Sequence, residues 1–341
     1  MKDDMPLISV IMPLYNSEST LRKTLEALYN VDYPKTRIEI IFSYYPSEDE
    51  TLKIIKEFKN QHEKEYFSIK ILECKRRGVS HGRNIAIRNS NAEYVFILDD
   101  DVVIHKDTFK RAMKILAERP DVAVVSYLYL HEEMDLFEEA FARVRFAPFK
   151  NKVSKAKTFG GCALVRKRVF DEVGLYNEQL GYPYSHHEDI EISARISRLY
   201  SIVVDRGLIQ KHLRKKTLRL SSNRESRFSM LKKVINGLRF YFGSGADSYH
   251  IVLQSAPISW KLEFLLYFMI PLPFIIALVL RHYLMGLIYI LALLFASIIY
   301  YGAFNIKDFL LIIVVILGRI TRSYGYVARR LLKGLTPRIL S

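Results

Sequence analysis

Apolar residues run in short unbroken blocks through the first two hundred positions. "LISVIM" (7–12), "IEIIF" (38–42), "FSIKIL" (67–72), "YVFIL" (94–98) and "VAVVSYLYL" (122–130) carry the β-branched and aromatic content of strands covered on both faces. Between them the spacing becomes helical. "STLRKTLEAL" repeats leucine at 21, 25 and 28, and "DTFKRAMKILAERP" opens at a capping Asp107 and stops before Pro120. This alternation predicts an α/β domain around a mostly parallel sheet, with ligands beyond the carboxyl ends of the strands.

The pattern then changes. From Asp205 to Arg239 there are eleven Lys/Arg against two acids, and "SRFSMLKKVINGLRFYF" (226–242) interleaves bases with large apolar residues, as an interfacial amphipathic helix does. "FLLYFMIPLPFIIALVL" (264–280) and "YLMGLIYILALLFASIIYYGAF" (283–304) are uncharged and about the 17–25 residues that cross a bilayer, separated by Arg281 and His282. A third run, "FLLIIVVILG" (309–318), precedes a basic tail. The positive-inside rule favours two spans with the tail lying on the membrane, although a third span would export it.

Charge narrows the partners. The 341 residues are half hydrophobic yet carry a formal +15, which points to an anionic partner: nucleic acid, a phosphate-bearing substrate or a membrane face. Nucleic acid fits poorly, since the bases cluster beside the apolar runs and no recognised nucleic-acid motif occurs. Cys74 and Cys162 make no disulfide framework and read as buried hydrophobes in a reducing compartment. The start, "MKDDMPLISVIMPLYN", lacks a signal-peptide layout, so the N-terminal portion is expected to stay cytoplasmic.

The candidate chemistry begins where "EYVFILDDDVVI" (93–104) drives a buried strand into Asp99, Asp100 and Asp101. Adjacent carboxylates repel, and an Asp-x-Asp at a strand end suits a hard divalent cation that bridges to phosphate oxygens. Taken alone, the triplet is equally a solvated acidic loop. Gly160-Gly161 precedes an apolar strand where backbone can approach a ligand closely. Glu188 and Asp189 open a helical pattern, where acids also serve as dipole stabilisers, and His212 stands before the basic 214–216.

The order of these pieces resembles glycosyltransferase family 2, a group of GT-A fold enzymes. "SVIMPLYNSESTLRKTLEAL", "RRGVSHGRNIAI…AEYVFILDDD", "FGGCALVRKRVFDEVGLYNE" and "HEDIEISARI" carry the likeness across roughly residues 7–215. The resemblance implies a GT-A (Rossmann-like) sheet domain over 1–220; the charge and hydropathy pattern adds an interfacial segment (221–259), a transmembrane hairpin (260–306) and a tail helix (307–341), itself a candidate third membrane segment. The resemblance also implies a nucleotide-sugar donor, Mg or Mn, and inversion at the anomeric carbon. Carried over by position, Asp189 is the catalytic base, and Asp99 and Asp101 are the metal-binding DxD, with His212 a further ligand. Asp99 and Asp100 also lie near ribose and diphosphate. Pro13, Tyr15 and Asn16 border the nucleotide, while Arg77 and Arg83 lie in the stretch closing over the donor.

One departure stands out. Where the family carries an acidic pair whose first Asp reads the base, this chain has "SYYPSEDET", putting Tyr44 and Tyr45 there and leaving Asp49 as a candidate for the second acidic position. A tyrosine at Tyr44 stacks or hydrogen-bonds but does not replace a carboxylate acceptor at the same reach. The expectation is a membrane-held enzyme, its catalytic domain cytoplasmic, acting on a lipid-linked glycan or polyprenyl-phosphate acceptor. Alternatives are a processive polysaccharide synthase, whose Q-x-x-R-W element is missing from "QKHLRKK" (210–216), or a non-catalytic nucleotide-sugar scaffold.

Overall fold

The computed structural model describes residues 5–131, 153–181, 187–213, 249–269 and 271. By internal packing the chain divides into one unit of Met1–Glu133 with Lys150–Lys215 and a second of Met134–Phe149 with Lys216–Ser341.

The first unit holds a sheet whose strands are β1 (Ile8–Leu14), β2 (Ile38–Tyr44), β3 (Ser68–Glu73), β4 (Tyr94–Leu98), β5 (Val102–Val103), β6 (Val122–His131), β7 (Val153–Ala156), β8 (Cys162–Arg166) and β9 (Ser201–His212). The order is β3-β2-β1-β4-β8-β6-β9-β5, with β7 also on β9. β1 to β4 are mutually parallel, and β8 runs antiparallel between β4 and β6, so β6 shares the direction of β4. β9 follows β6, whereas β5 and β7 oppose it. Six of the nine strands therefore point one way, which agrees with a mostly parallel sheet.

Strand alternation sorts the core into two layers. Ile8, Val10 and Met12 of β1 face one side, where they meet Leu21, Leu25 and Leu28 of α1 (Glu18–Tyr29), Phe58 of α2 (Thr51–His62) and Phe109 of α4 (Thr108–Glu118). Ile11 faces the other side, with Ile87 of α3 (Val79–Arg88), Phe170 of α5 (Arg168–Val173) and Ile192 of α6 (Glu188–Ile196). Helix α3 lies unusually close to the sheet. A Cβ at Gly82 would sit 3.1 Å from both the Pro13 Cβ and the Ser43 Oγ. Asp107 takes the N-cap position of α4 as expected, but its side chain makes no capping bond.

At the amino ends of the strands a buried carboxylate ties three of them together. Glu39 of β2 accepts from the Ser9 hydroxyl of β1, from Ser68 of β3 at 3.1 Å and from the Asn91 backbone and side chain at 2.8 Å. Lys70 completes the set at 2.7 Å. Burial alone would raise the Glu39 carboxyl, yet Lys70, Ser9 and Asn91 more than offset it and hold it below its ordinary value.

Of the second unit, two helices are described, α7 (Tyr249–Ser255) and α8 (Ile258–Met269). Ile258, Leu262, Leu265 and Met269 of α8 are exposed. No helix among the described residues is long and apolar enough to cross a membrane. Most of the expected interfacial segment, most of the hairpin and the whole tail helix lie outside the described residues.

Candidate active site

Because β1 to β4 are parallel, the loops after them emerge at one edge: Tyr15 and Asn16, then Tyr45, Lys75–Gly78 and Asp99–Asp101. β8 starts at that edge, since antiparallel pairing sets Cys162 opposite Leu98. The Asp99 amide donates to the Gly161 carbonyl at 2.8 Å, and the Asp99 carboxylate lies so close to the Gly161 Cα that a methyl group there would overlap it. The close approach expected at the glycine pair is thus made by Asp99 itself. Cys162 next to it is a buried thiol pushed well up by burial, and Cys74 is also buried and free.

Arg83 organises the acids. Only 1% exposed, it donates from Nη1 to Asp189 Oδ1 at 2.6 Å and from Nη2 to Asp99 Oδ1 at 2.9 Å, with Glu188 Oε1 at 3.5 Å from Nη1. The Tyr176 ring lies 5.2 Å from the guanidinium carbon, as a cation–π partner does. Burial opposes the Arg83 charge, but Asp189 and Asp99 more than compensate and hold it protonated. Arg83 was expected where the chain closes over a donor; it is inside the protein, bridging Asp99 of the loop after β4 to the acids at the start of α6.

Asp189 sits in the first turn of α6, behind His187 in a left-handed conformation (φ 77°). Burial pushes its carboxyl up to about 8; Arg83 pulls the other way, while Glu188 and Asp99 add to the rise. One guanidinium faces three carboxylates, so the cluster carries surplus negative charge and favours a proton or another cation nearby. That is the condition of a carboxylate poised to exchange a proton near neutral pH.

The third acid of the triplet meets the histidine. β5, directly after Asp101, pairs with the end of β9 so that Val102 faces His212, and the Leu213 amide donates to the Asp101 carbonyl at 2.7 Å. His212 Nε2 thereby comes within 3.4 Å of Asp101 Oδ1. Among the described residues no group of three or more metal-type side chains converges. The expected trio is accordingly divided: Asp101 and His212 are adjacent, and Asp99 is engaged by Arg83. An oxygen and an imidazole nitrogen 3.4 Å apart fit two neighbouring positions around Mn or Mg, with substrate phosphates left to supply others. Asp100 contributes its carbonyl to Thr24 Oγ1 at 2.9 Å.

The loops after β1, β2 and β3 line a cavity of about 590 Å³, with Tyr15, Tyr45, Glu48, Lys75 and Arg77 in its wall; Asp99–Asp101, Asp189 and His212 are outside that lining. Arg77 lies over the Tyr15 ring at 4.0 Å, and Tyr15 tilts against Tyr45 with centroids 5.7 Å apart. Asn16 has φ 51°, which asparagine tolerates, and knits the first two loops: its amide donates to Ser47 Oγ and its Oδ1 accepts from the Glu48 amide. Pro13 stays within β1 beneath Gly82.

Tyr44 differs from expectation. It is buried, its hydroxyl accepting from the Ser47 amide at 2.8 Å, and Tyr45 is the tyrosine that reaches the cavity. Asp49 is likewise spent on structure, accepting from the amides of Glu18 and Thr51 and from the Thr51 hydroxyl. Sequence reasoning overlooked Glu48, and also Glu178, which receives His81 at 3.0 Å, Asn84 at 2.8 Å and Arg76 on the far wall. The strand end between Tyr44 and Tyr45 separates them, the first being the last residue of β2 and the second the first of the loop. The Glu178 contacts span about a hundred positions and leave no local signal.

Comparison with known proteins follows the same lines. The model of the family described as glycosyl transferase family 2 matches residues 9–174. The poly(ribitol-phosphate) beta-N-acetylglucosaminyltransferase TarS of Staphylococcus aureus is 34% identical over 110 residues, 32% of this chain and 19% of TarS. A dolichyl N-acetyl-alpha-D-glucosaminyl phosphate 3-beta-D-2,3-diacetamido-2,3-dideoxy-beta-D-glucuronosyltransferase of Methanococcus voltae is 34% identical over 125 residues, 36% of this chain and 38% of that protein. Glycosyltransferase AglE of Haloferax volcanii is 26% identical over 185 residues, covering 53% and 59%. The chain thus spans from about a fifth to three-fifths of the length of these relatives. Among solved structures, the mannosyltransferase PcManGT of Pyrobaculum calidifontis, in complex with GDP-Man and Mn2+, superposes with a TM-score of 0.56 at 17% identity over 96% of this chain and 88% of that one. S. aureus TarS 1-349 gives 0.51 at 17% identity over 82% and 89%. At such identity these likenesses carry the fold alone.

Proposed function

The chain belongs to glycosyltransferase family 2, and from that premise we propose that it transfers a sugar, with inversion, from a nucleotide-sugar donor to a membrane-associated acceptor. The observation that carries the reading is the placement of Asp189 at one end of the Arg83 bridge with the Asp99–Asp101 loop at the other, at the strand edge whose other loops line a cavity of about 590 Å³. In this reading the ionised Asp189 orients the acceptor hydroxyl and takes its proton as the oxygen attacks the anomeric carbon. The bond from that carbon to the nucleoside diphosphate breaks on the opposite face, which inverts the configuration. Arg77 and Lys75 favour the diphosphate by charge. Asp101 and His212 would hold a divalent cation, which when bound offsets the charge of the leaving diphosphate.

The acceptor side of the proposal rests on chemistry elsewhere in the chain. The apolar runs after residue 264, the basic stretch from 205 to 239 and the exposed apolar residues of α8 support attachment to the cell membrane with the catalytic unit on its cytoplasmic face. The Methanococcus voltae relative is named for a dolichyl-phosphate-linked acceptor. A lipid-linked glycan or polyprenyl phosphate is the matching class here. The test is sugar transfer from a panel of nucleotide sugars, with Mn or Mg, to lipid-extracted acceptors. Turnover with one donor supports the proposal; no transfer and no thermal stabilisation with any donor rejects it.

A further inference from the structure

We infer that Ser193 is a positioning residue for the transfer, its hydroxyl holding the backbone of the Asp189 turn in register with the aspartate loop after β4. The inference rests on the proposed role of Asp189 and adds a residue on which that role depends. Ser193 lies one helical turn beyond Asp189 in α6 and is fully buried. Serine is a poorer helix former than alanine, and at an inaccessible site its hydroxyl is costly unless bonded. Both capacities of the oxygen are used. It donates to the Asp189 carbonyl at 2.5 Å and accepts from the Phe159 amide at 3.2 Å. Phe159, itself buried, leads directly into Gly160-Gly161, and the Gly161 carbonyl accepts from the Asp99 amide at 2.8 Å.

These bonds close a ring. Asp99 and Asp189 are joined once through their side chains by Arg83, and a second time through Gly161, Phe159 and Ser193. The two links differ in chemistry. The Arg83 link is ionic, so its strength depends on the charge of the carboxylates it grips. In the proposed transfer Asp189 takes the acceptor's proton, which weakens its hold on the guanidinium as the reaction proceeds. The Ser193 link runs between a hydroxyl and two backbone groups, none of which titrates. It therefore keeps α6 against the loops of the strand edge while the charge on Asp189 changes. Apolar packing brings the same parts together without fixing their spacing, since Phe159, Ile192 and Ile196 belong to one core layer. The directional bonds through Ser193 supply the register, and reacting geometry is sensitive to errors of about 1 Å.

The test compares Ser193→Thr with Ser193→Val in the full chain, because the two side chains have nearly the same shape and only threonine carries the hydroxyl. Ser193→Ala removes the hydroxyl without adding bulk. Transfer is followed with Mn from a panel of UDP- and GDP-sugars to lipid-extracted acceptors, and hydrogen exchange is followed at the Phe159 amide. In the alanine and valine variants that amide should exchange about tenfold faster than in wild type, the effect of one lost hydrogen bond. Their kcat should fall about 10- to 100-fold while KM for the donor stays within roughly twofold. Threonine should keep the slow exchange and exceed valine in kcat by about tenfold. Wild-type kcat in Ser193→Ala, a valine variant as active as the threonine one, or donor affinity lost in proportion to kcat overturns the positioning role. No wild-type transfer from any donor overturns the reading of Asp189 on which it rests, and exchange at Phe159 tells that failure from failure of the Ser193 link.

Discussion

Arg83 and Asp189, 106 residues apart in sequence, are joined by a 2.6 Å hydrogen bond in which a nearly inaccessible guanidinium grips the carboxylate at the start of α6. The second arm of the same guanidinium, on Asp99, makes the loop after β4 and the amino end of α6 one mechanical unit. Arg83 is a positioning residue: it acts through the two acids.

Arg83→Met should therefore be among the most damaging single changes in the sheet domain. Arg83 is buried but Asp99 and Asp189 are partly open to water (32% and 24% exposed), so the loss should be smaller than the about 3–5 kcal/mol of a fully buried ionic set. Arg83→Lys keeps the charge but loses the fork that serves two acids at once. Calorimetric unfolding should show a large loss for Met and a smaller one for Lys, with transfer in the Lys variant down about 100-fold from misplacement of Asp189. Wild-type turnover in Arg83→Lys would contradict the positioning role.

Asp189→Asn should abolish transfer and leave nucleotide affinity largely intact. It should also uncouple stability from pH in a definite direction. The folded carboxyl sits up near about 8, above the ordinary value of about 4. Between those values the folded chain retains a proton that the unfolded chain has released, so stability declines as pH rises from about 4 to about 8. The asparagine variant escapes that decline. Its unfolding temperature should match wild type at about pH 4 and below and exceed it at pH 9, and a deficit at pH 9 would refute the account.

Chelation should remove activity, and Mn or Mg should restore it. His212→Ala and Asp101→Asn should each raise the cation concentration needed for half-maximal transfer by about 10- to 100-fold, the usual effect of disturbing a ligand environment. Titration of activity against free Mn reads this directly. An unaltered cation requirement in both variants would detach the Asp101–His212 pair from metal binding.

Glu39 predicts the opposite pH behaviour from Asp189. Its carboxyl is held below its ordinary value, so the stability it contributes is present above the unfolded value and is lost as pH falls through the folded one. Glu39→Gln should destabilise the chain at pH 7 by roughly 3 kcal/mol or more, with the gap closing in acid. Denaturant melts at pH 7 and pH 3 measure both. Because Glu39 lies at the amino end of the strands, turnover per folded molecule should not change.

Much of the sheet could be read from composition. The run at 94–98 matches β4 to the residue, and β1, β2, β3 and β6 begin or end within a few positions of the apolar blocks that announced them. Buried strands are legible because covering both faces demands uninterrupted apolar sequence. β5 was not legible: two residues cannot show a period, and its pairing with β9 was decided about a hundred positions away. Asp189, Asp101 and His212 were singled out by the family resemblance, and the structure sets Asp189 on Arg83 and His212 beside Asp101. Arg83 was expected over the donor, and its interior place follows from two acids far apart in sequence converging on it, Asp99 of the loop after β4 and Asp189 in the first turn of α6. Tyr44 and Tyr45 were treated as a pair, although β2 ends at Tyr44, which is buried, and Tyr45 begins the loop that lines the cavity.

The two-residue strand β5 also fixes how far the catalytic unit must extend to keep its chemistry. The pairing of Val102 with His212 and the bond from Leu213 to Asp101 are the last backbone links between β9 and the aspartate loop. A fragment trimmed back to Asp205 would keep the nucleotide cavity and the Arg83 bridge but forfeit the imidazole and the hydrogen bond that steadies the third aspartate. Excision of an active portion should run at least through Leu213.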